Sequence, residues 1–148
     1  MTIFLFPSIC TCLIILSIVD LKWLIVPYSL LLPLAVLCLA WNVHFDVPPL
    51  ISFICAVAMA LMALLLRHGI YIFKGQVGCG WGDVWLFFVC GMVISSDQLA
   101  PFFLVTGSSG IIFGSLWQTV KGQSRFPFVP CLSLGLATAL WLQLPGMK

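Results

Sequence analysis

Aspartate is the only acidic residue type in this 148-residue sequence, which contains no glutamate. Two of the four aspartates lie in short turns: Asp46 precedes a Val-Pro-Pro sequence, and Asp97 follows two serines. We expect these two to be solvated residues at helix ends. The local sequence of Asp20 and Asp83 sets them apart, and they are the candidates for chemistry.

Asp83 and Asp20 each lie next to a break in apolar sequence. Three of the five residues before Asp83 are glycine, and glycine permits backbone conformations and close approaches that other residues forbid. We expect a tight turn that delivers this carboxylate to the start of a helix. Asp20 closes an apolar run and is followed by a connection that carries Lys22 and ends at Pro27.

Two carboxyl groups held close together can hydrolyse a peptide bond. They do not both ionise easily, so one keeps its proton while the other stays charged. The charged group activates a water, and the protonated group assists the carbonyl oxygen and the leaving amine. A helix dipole favours an anion at the N-terminal position of Asp83 and disfavours one at the C-terminal position of Asp20. We therefore expect Asp20 to hold the proton more often.

The composition predicts that the elements carrying these residues lie in a membrane. Hydrophobic residues make up 63% of the chain and charged residues only 7%, whereas a soluble domain carries roughly 25% charged residues. The surplus apolar surface must face lipid. The small net charge of +2 argues against nucleic-acid binding. The seven cysteines form no C-x-x-C pair, so no zinc site is expected.

Six apolar segments predict an all-α, polytopic membrane helix bundle of about six transmembrane helices. A spanning helix needs about 20 residues; four segments meet this, while the second and fourth are short. No linker interrupts residues 1–148, so we predict one domain. In the fifth segment, Gly110 and Gly114 have the spacing that lets a neighbouring helix approach closely. The segments cover approximately residues 3–20, 28–43, 49–66, 83–96, 99–118 and 127–144.

The basic residues predict the orientation in the membrane. No basic residue precedes the first apolar run, whereas a cleavable signal peptide begins with positive charge, so we expect a retained span with its N-terminus outside. Only Lys148 then falls outside among the basic residues, which agrees with the positive-inside rule. Asp20 and Asp83 both lie at the cytoplasmic boundary in this arrangement. The internal basic residues are Lys22, Arg67, Lys74, Lys121 and Arg125.

Three sequence elements, in this order, resemble those of the type IV prepilin peptidases, which belong to the GxGD intramembrane aspartyl proteases. They are the stretch from Asp20 to Pro27, which resembles the first aspartate box; Gly80-Trp81-Gly82-Asp83, which matches the Gly-x-Gly-Asp signature; and Pro127-Phe128-Val129-Pro130, which resembles a Pro-Phe-Gly-Pro element before the last span.

The resemblance implies a membrane-embedded endopeptidase with Asp20 and Asp83 as its catalytic aspartates. Enzymes of this family remove short basic leader peptides from type IV prepilins and pilin-like proteins on the cytoplasmic side of the bacterial inner membrane. A prepilin substrate and the lipid bilayer are the implied partners, no cofactor or metal is expected, and the oligomeric state stays open. The residues implied to support the site are Gly80, Gly82, Pro27, Pro127 and Pro130.

The chain departs from the family pattern at three positions. Trp85 replaces a lysine, Tyr28 replaces an asparagine or aspartate, and Val129 replaces a glycine; we expect these changes to affect substrate choice or activity. Long bacterial members also carry an N-terminal region with zinc sites that accompanies methyl transfer from S-adenosylmethionine. Because this sequence begins at its first span, we expect a short-form peptidase without methyltransferase activity.

Two other functions fit part of the sequence. A small transporter or channel would use Asp20 and Asp83 as ion-coupling carboxylates. Transporter folds often contain internal repeats, and the two halves of this sequence show none. An inactive accessory membrane subunit is the other alternative; Trp85 and Tyr28 favour it, and the retained pair of aspartates disfavours it.

Overall fold

The computed structural model describes residues 2–74, 80–122 and 126–144. Within these ranges the chain forms six α-helices and no strand, which confirms the all-α bundle predicted from the sequence. Gly78 of the predicted turn, and Arg125 and Lys148 of the predicted charge pattern, lie outside the described residues. The helices are α1 (Thr2–Trp23), α2 (Tyr28–His44), α3 (Pro49–Lys74), α4 (Trp81–Val93), α5 (Ser96–Lys121) and α6 (Val129–Trp141).

Most helix ends differ by a few residues from the sequence-based prediction. Helices α1, α3 and α5 continue past the C-terminal ends of their apolar segments, to Trp23, Lys74 and Lys121. Helix α4 ends at Val93 because Ile94 and Ser95 adopt an extended backbone. Helix α6 is shorter than its predicted segment, since Phe128 is its N-cap and the residues after Trp141 form turns.

Helix length separates two groups. Helices α1, α3 and α5 have 22, 26 and 26 residues and are long and apolar enough to cross a membrane. Helices α2, α4 and α6 are apolar but have only 17, 13 and 13 residues. A 13-residue helix is about 20 Å long, less than the roughly 30 Å of the hydrocarbon core. Backbone groups at the ends of α4 and α6 therefore need partners inside the protein.

Four helices form a closed ring, and two helices pack outside it. Helix α1 contacts α2 and α6, and α4 also contacts α2 and α6. Helix α3 packs along α4, and α5 packs along α6. Helices α4 and α6 are therefore mostly enclosed by protein, while α2 exposes much of its surface and α3 and α5 turn most of theirs outward. Side chains without exposed surface fill the centre, among them Leu16, Leu34, Leu86 and Leu132.

Glycine allows the closest contacts of the two outer helices with the ring. A Cβ atom on Gly91 of α4 would lie 2.7 Å from the Ala56 Cα atom and 2.8 Å from the Cys55 carbonyl oxygen of α3. A Cβ atom on Gly135 of α6 would lie 3.0 Å from the Phe102 carbonyl oxygen of α5. Backbone therefore packs against backbone at Gly91, and at Gly135 the glycine packs against both the Thr106 side chain and the Phe102 carbonyl.

Gly110 and Gly114 have a different role from the one that their spacing predicts. A Cβ atom on Gly110 would lie 3.3 Å from the ring of Phe128, and one on Gly114 would lie 3.4 Å from the ring of Phe126. These aromatic residues lie in the segment just before α6. The two glycines thus make room for aromatic side chains within the bundle rather than for the backbone of a neighbouring helix.

A polar network caps the short helix α4 at its C-terminal end. The Nδ2 atom of Asn42 donates to the Met92 carbonyl at 2.7 Å, and the Nε2 atom of Gln143 donates to the Val93 carbonyl at 2.8 Å. The Nε1 atom of Trp41 donates to Oε1 of Gln143 at 2.7 Å. The last carbonyls of a helix lack partners within it, so side chains of α2 and of the segment after α6 supply the donors.

Candidate active site

Asp20 lies in the last turn of α1, and the helix continues beyond it to Trp23. Its side chain is only 5% exposed, and its Oδ2 atom accepts a hydrogen bond from the backbone N–H of Val129 at 3.0 Å. Val129 is the first residue of α6, and the first N–H groups of a helix have no partner within it. The start of α6 therefore holds this carboxyl group in place.

Two helix termini act on the charge of Asp20 in opposite directions. The C-terminal end of α1 disfavours a negative charge there, whereas the N-terminal end of α6 favours one. The sequence-based assignment of the proton to Asp20 considered only the first terminus. That assignment stays a prediction.

Asp83 is the third residue of α4, and its Oδ2 atom accepts a hydrogen bond from the backbone N–H of Gly80 at 2.9 Å. Gly80 has φ −73° and ψ 161°, an extended conformation that any residue adopts. Gly82 is constrained by its neighbours instead: a Cβ atom there would lie 2.6 Å from the Cβ atom of Val26. Of these two motif glycines, only Gly82 is required by a close contact.

The two aspartates line one cleft of about 410 Å³. It lies where the end of α1, the starts of α2 and α4, and the segment before α6 meet. Among the described residues, the others that line the cleft are Leu24, Ile25, Val26, Tyr28, Gly80, Trp81, Gly82, Phe126 and Phe128.

The segment from Pro127 to Pro130 positions the start of α6. Pro127 is fully buried, and Pro130 is the second residue of the helix, where a missing N–H is tolerated. The ring of Phe128 stacks on that of Phe87 in α4, with centroids 6.1 Å apart and planes 22° apart. The hydrogen-bond partner of Asp20 is thereby connected to the helix that carries Asp83. The predicted supporting prolines, Pro27 at the N-cap of α2, Pro127 and Pro130, lie beside the cleft lining rather than in it.

Trp81 and Trp85 are both about half exposed but have different surroundings. Trp81 lines the cleft, and the guanidinium carbon of Arg67 lies 4.9 Å from the centroid of its ring. Trp85 is not part of the cleft lining, and its ring packs edge-on against Phe88 at 6.1 Å. The two tryptophans lie one turn apart on the same face of α4, and only Trp81 belongs to the cleft lining.

The three residues that depart from the family pattern differ in their position relative to the cleft. Tyr28 lines it directly. Val129 contacts Asp20 through its backbone N–H, which glycine would supply equally, so this replacement keeps the hydrogen bond. Trp85 lies outside the lining.

Sequence reasoning missed the connection between α1 and α2 as a wall of the cleft. Leu24 has a positive φ of 53°, and its N–H donates to the Asp20 carbonyl at 2.8 Å. This left-handed turn ends α1 and directs Ile25 and Val26 toward the cleft. Such a position usually holds glycine, so leucine gave no signal there. Phe126 also lines the cleft. The only sequence signal near it was the motif that begins at its neighbour Pro127.

Comparison with known proteins places this arrangement in a family. A curated prepilin leader peptidase/N-methyltransferase from Xanthomonas campestris pv. campestris is 28% identical over 136 residues, which cover 87% of this chain and 47% of that protein. The chain thus spans about half the length of the curated relative that it matches. No solved structure matches the chain significantly. The profile of the type IV leader peptidase family matches residues 8–115, more than half of the sequence and a range that includes Asp20 and Asp83, and the chain therefore belongs to that family.

Proposed function

We propose that this protein is a membrane-embedded aspartyl endopeptidase that removes the leader peptide from type IV prepilins or pilin-like proteins. Family membership supports the peptidase activity, and the name of the Xanthomonas relative supports a prepilin as the substrate. The observation that carries the proposal is that Asp20 and Asp83 line the same cleft from two different helices. Each of them also accepts a hydrogen bond from a backbone N–H.

In the proposed reaction the pair of carboxyl groups carries one proton. The ionised group removes a proton from a water, whose oxygen attacks the carbonyl carbon of the scissile peptide, while the protonated group donates a hydrogen bond to the carbonyl oxygen. The C–N bond then breaks, and the leaving amine takes its proton from the protonated group. The hydrogen bonds to Val129 and Gly80 hold both carboxyl groups in place for these steps.

The walls of the cleft suit the substrate of such a reaction. Leucine, isoleucine and valine side chains of the α1–α2 connection form one wall, and the rings of Tyr28, Trp81, Phe126 and Phe128 form others. A peptide bond next to an apolar helix, as in a prepilin, would bring apolar side chains against these walls. Binding energy from such contacts can position the scissile bond between the carboxyl groups.

We place the cleft on the cytoplasmic side of the inner membrane. Lys22, Arg67 and Lys121 lie toward the C-terminal ends of α1, α3 and α5, at the same end of the bundle as the cleft. The excess of basic residues on cytoplasmic segments of membrane proteins supports this orientation. A prepilin leader would then reach the carboxyl groups from the cytoplasm.

Leader cleavage in isolated membranes tests the proposal. Wild type, Asp20→Asn and Asp83→Asn are each mixed with a panel of prepilins, and the size shift is measured on a gel over time. Asparagine keeps the shape of aspartate but cannot ionise, so we expect each single variant to lose about 10²- to 10⁴-fold in rate. The variants must be as abundant in the membrane as the wild type.

Asp97→Asn is the matched control for these variants. Asp97 is exposed at the start of α5, away from the cleft, so we expect its amide variant to cleave at the wild-type rate. Cleavage at the wild-type rate by Asp20→Asn or Asp83→Asn would contradict the paired mechanism. A wild type that cuts no prepilin in the panel would instead favour a transporter or an inactive accessory subunit.

A further inference from the structure

Val26 packs against the backbone of α4 at the residue next to Asp83. Its side chain is only 8% exposed. A Cβ atom built on Gly82 would lie 2.6 Å from the Cβ atom of Val26, 3.1 Å from its Cγ2 atom and 3.4 Å from its carbonyl oxygen. Two of these separations are too short for van der Waals contact. The connection after α1 and the start of α4 therefore touch without room for any side chain on Gly82.

Val26 is also fixed relative to Asp20. The N–H of Leu24 donates to the Asp20 carbonyl at 2.8 Å, and the left-handed conformation of Leu24 turns the chain. Val26 follows two residues later and precedes Pro27, the N-cap of α2. A short, conformationally restricted path thus runs from Asp20 to Val26, and one peptide bond joins Gly82 to Asp83.

We propose that Val26 is a positioning residue that sets the separation of Asp20 and Asp83 through its contact with Gly82. This inference rests on the proposed function, in which both carboxyl groups act on one peptide bond. The contact determines how closely the start of α4 approaches the end of α1. A methyl group at position 82 would push the two elements apart and misplace the carboxyl groups, and a misplacement of about 1 Å can reduce a rate about 10²-fold.

The geometry distinguishes two substitutions at Val26. The atom that Gly82→Ala would meet most closely is the Cβ atom of Val26. Val26→Ala keeps that atom, whereas Val26→Gly removes it together with Cγ2. Only glycine at position 26 can therefore make room for alanine at position 82.

The test compares Gly82→Ala with the two double variants Gly82→Ala/Val26→Ala and Gly82→Ala/Val26→Gly. Leader cleavage is measured as kcat and KM in membranes, with protein abundance matched. An infrared pH titration of the two carboxyl groups, assigned with Asp20→Asn and Asp83→Asn, reports their electrostatic interaction without any substrate. Gly69→Ala is the control, because nothing lies within 4 Å of a Cβ atom at Gly69 in α3.

We expect Gly82→Ala and Gly82→Ala/Val26→Ala to lose about 100-fold in kcat, and Gly82→Ala/Val26→Gly to recover to within about 5-fold of the wild type. The infrared titration should change and recover in the same variants. A Gly82→Ala enzyme with wild-type kcat, or a Gly82→Ala/Val26→Gly enzyme that stays as inactive as Gly82→Ala, overturns the proposal. A loss of kcat with an unchanged titration also overturns it, because the carboxyl groups then keep their separation.

The infrared titration also separates this inference from the proposed function. If the wild type cleaves no prepilin, the proposed function fails. The infrared titration by itself then tests the positioning role of Val26. Recovery of the wild-type titration in Gly82→Ala/Val26→Gly then upholds the positioning contact. A Gly82→Ala titration identical to that of the wild type rejects it.

Discussion

At the scale of single residues, the backbone determines how the carboxyl groups of the cleft are held. Asp20 is bound by the N–H of Val129 and Asp83 by the N–H of Gly80. A backbone donor is present whatever the side chain, except at proline. This explains how valine can stand at position 129, in place of the glycine of the Pro-Phe-Gly-Pro element that the segment resembles, without loss of the hydrogen bond. Side-chain identity matters instead at the residues that line the cleft.

Trp81 and Trp85 offer a matched comparison of a lining residue with a non-lining one. We expect Trp81→Ala to raise KM for leader cleavage by about 3- to 10-fold, because an aromatic contact contributes about 0.5–1.5 kcal/mol. Trp85→Ala should leave KM unchanged, since its ring lies outside the cleft lining. Steady-state cleavage of a purified prepilin measures both. Equal effects of the two substitutions would contradict the placement of the two rings.

At the scale of elements, the short helix α4 is capped by its own Asp83 at the start and by side chains of other elements at the end. Asp83 accepts the N–H of Gly80 at its start, and Asn42 and Gln143 donate to its last carbonyls. At the C-terminal end of this 13-residue helix, the two side-chain donors take the place of water, which the bilayer core does not supply. The polar network at one end therefore supports the position of the carboxylate at the other.

Gln143→Leu tests the contribution of this cap. The Val93 carbonyl and the Trp41 indole N–H would both lose their partner, and an unsatisfied buried polar group costs about 1–3 kcal/mol. We expect a lower thermal midpoint for the purified protein in detergent. Gln118→Leu, at an exposed position of α5, should stay close to the wild type. A Gln143→Leu protein as stable as the control would show that the cap does not stabilise the fold.

At the scale of the whole molecule, the cleft and the described basic residues share one end of the bundle. The exposed Asp46 and Asp97 lie toward the other end, after α2 and at the start of α5. This polarity follows from the antiparallel order of the helices and from the ring in which they pack. It gives the molecule one face where a substrate can reach the carboxyl pair.

Cysteine labelling in spheroplasts tests the orientation of that face. We expect a cysteine introduced at Asp97 to react with a membrane-impermeant maleimide from outside. A cysteine introduced at Lys22 should react only after the membrane is permeabilised, because it lies at the same end of the bundle as the cleft, which we propose to face the cytoplasm. The wild type, with its seven native cysteines, provides the background. The reverse labelling pattern would place the cleft on the outer face.

The sequence alone was sufficient for the properties that depend on local composition. A 63% hydrophobic chain with few charges must lie in a membrane, and its apolar segments predicted the helices that the described residues form. Short motifs around Asp20 and Asp83 single out these two of the four aspartates as candidates, and both line one cleft. Hydropathy failed at the helix ends, where α4 and α6 are shorter than their apolar segments because capping residues, and not lipid, end them.

Only the tertiary structure decided which residues meet across the bundle. Val129 contacts Asp20 from 109 positions away, and Val26 meets Gly82 from another connection. Gly110 and Gly114 lie against aromatic rings, whereas their spacing predicted the close approach of a neighbouring helix. The physical reason is that membrane helices such as α1 and α2 are apolar around their whole circumference. Their hydrophobic pattern therefore does not show which side faces protein and which faces lipid, and close packing between neighbouring helices determines it.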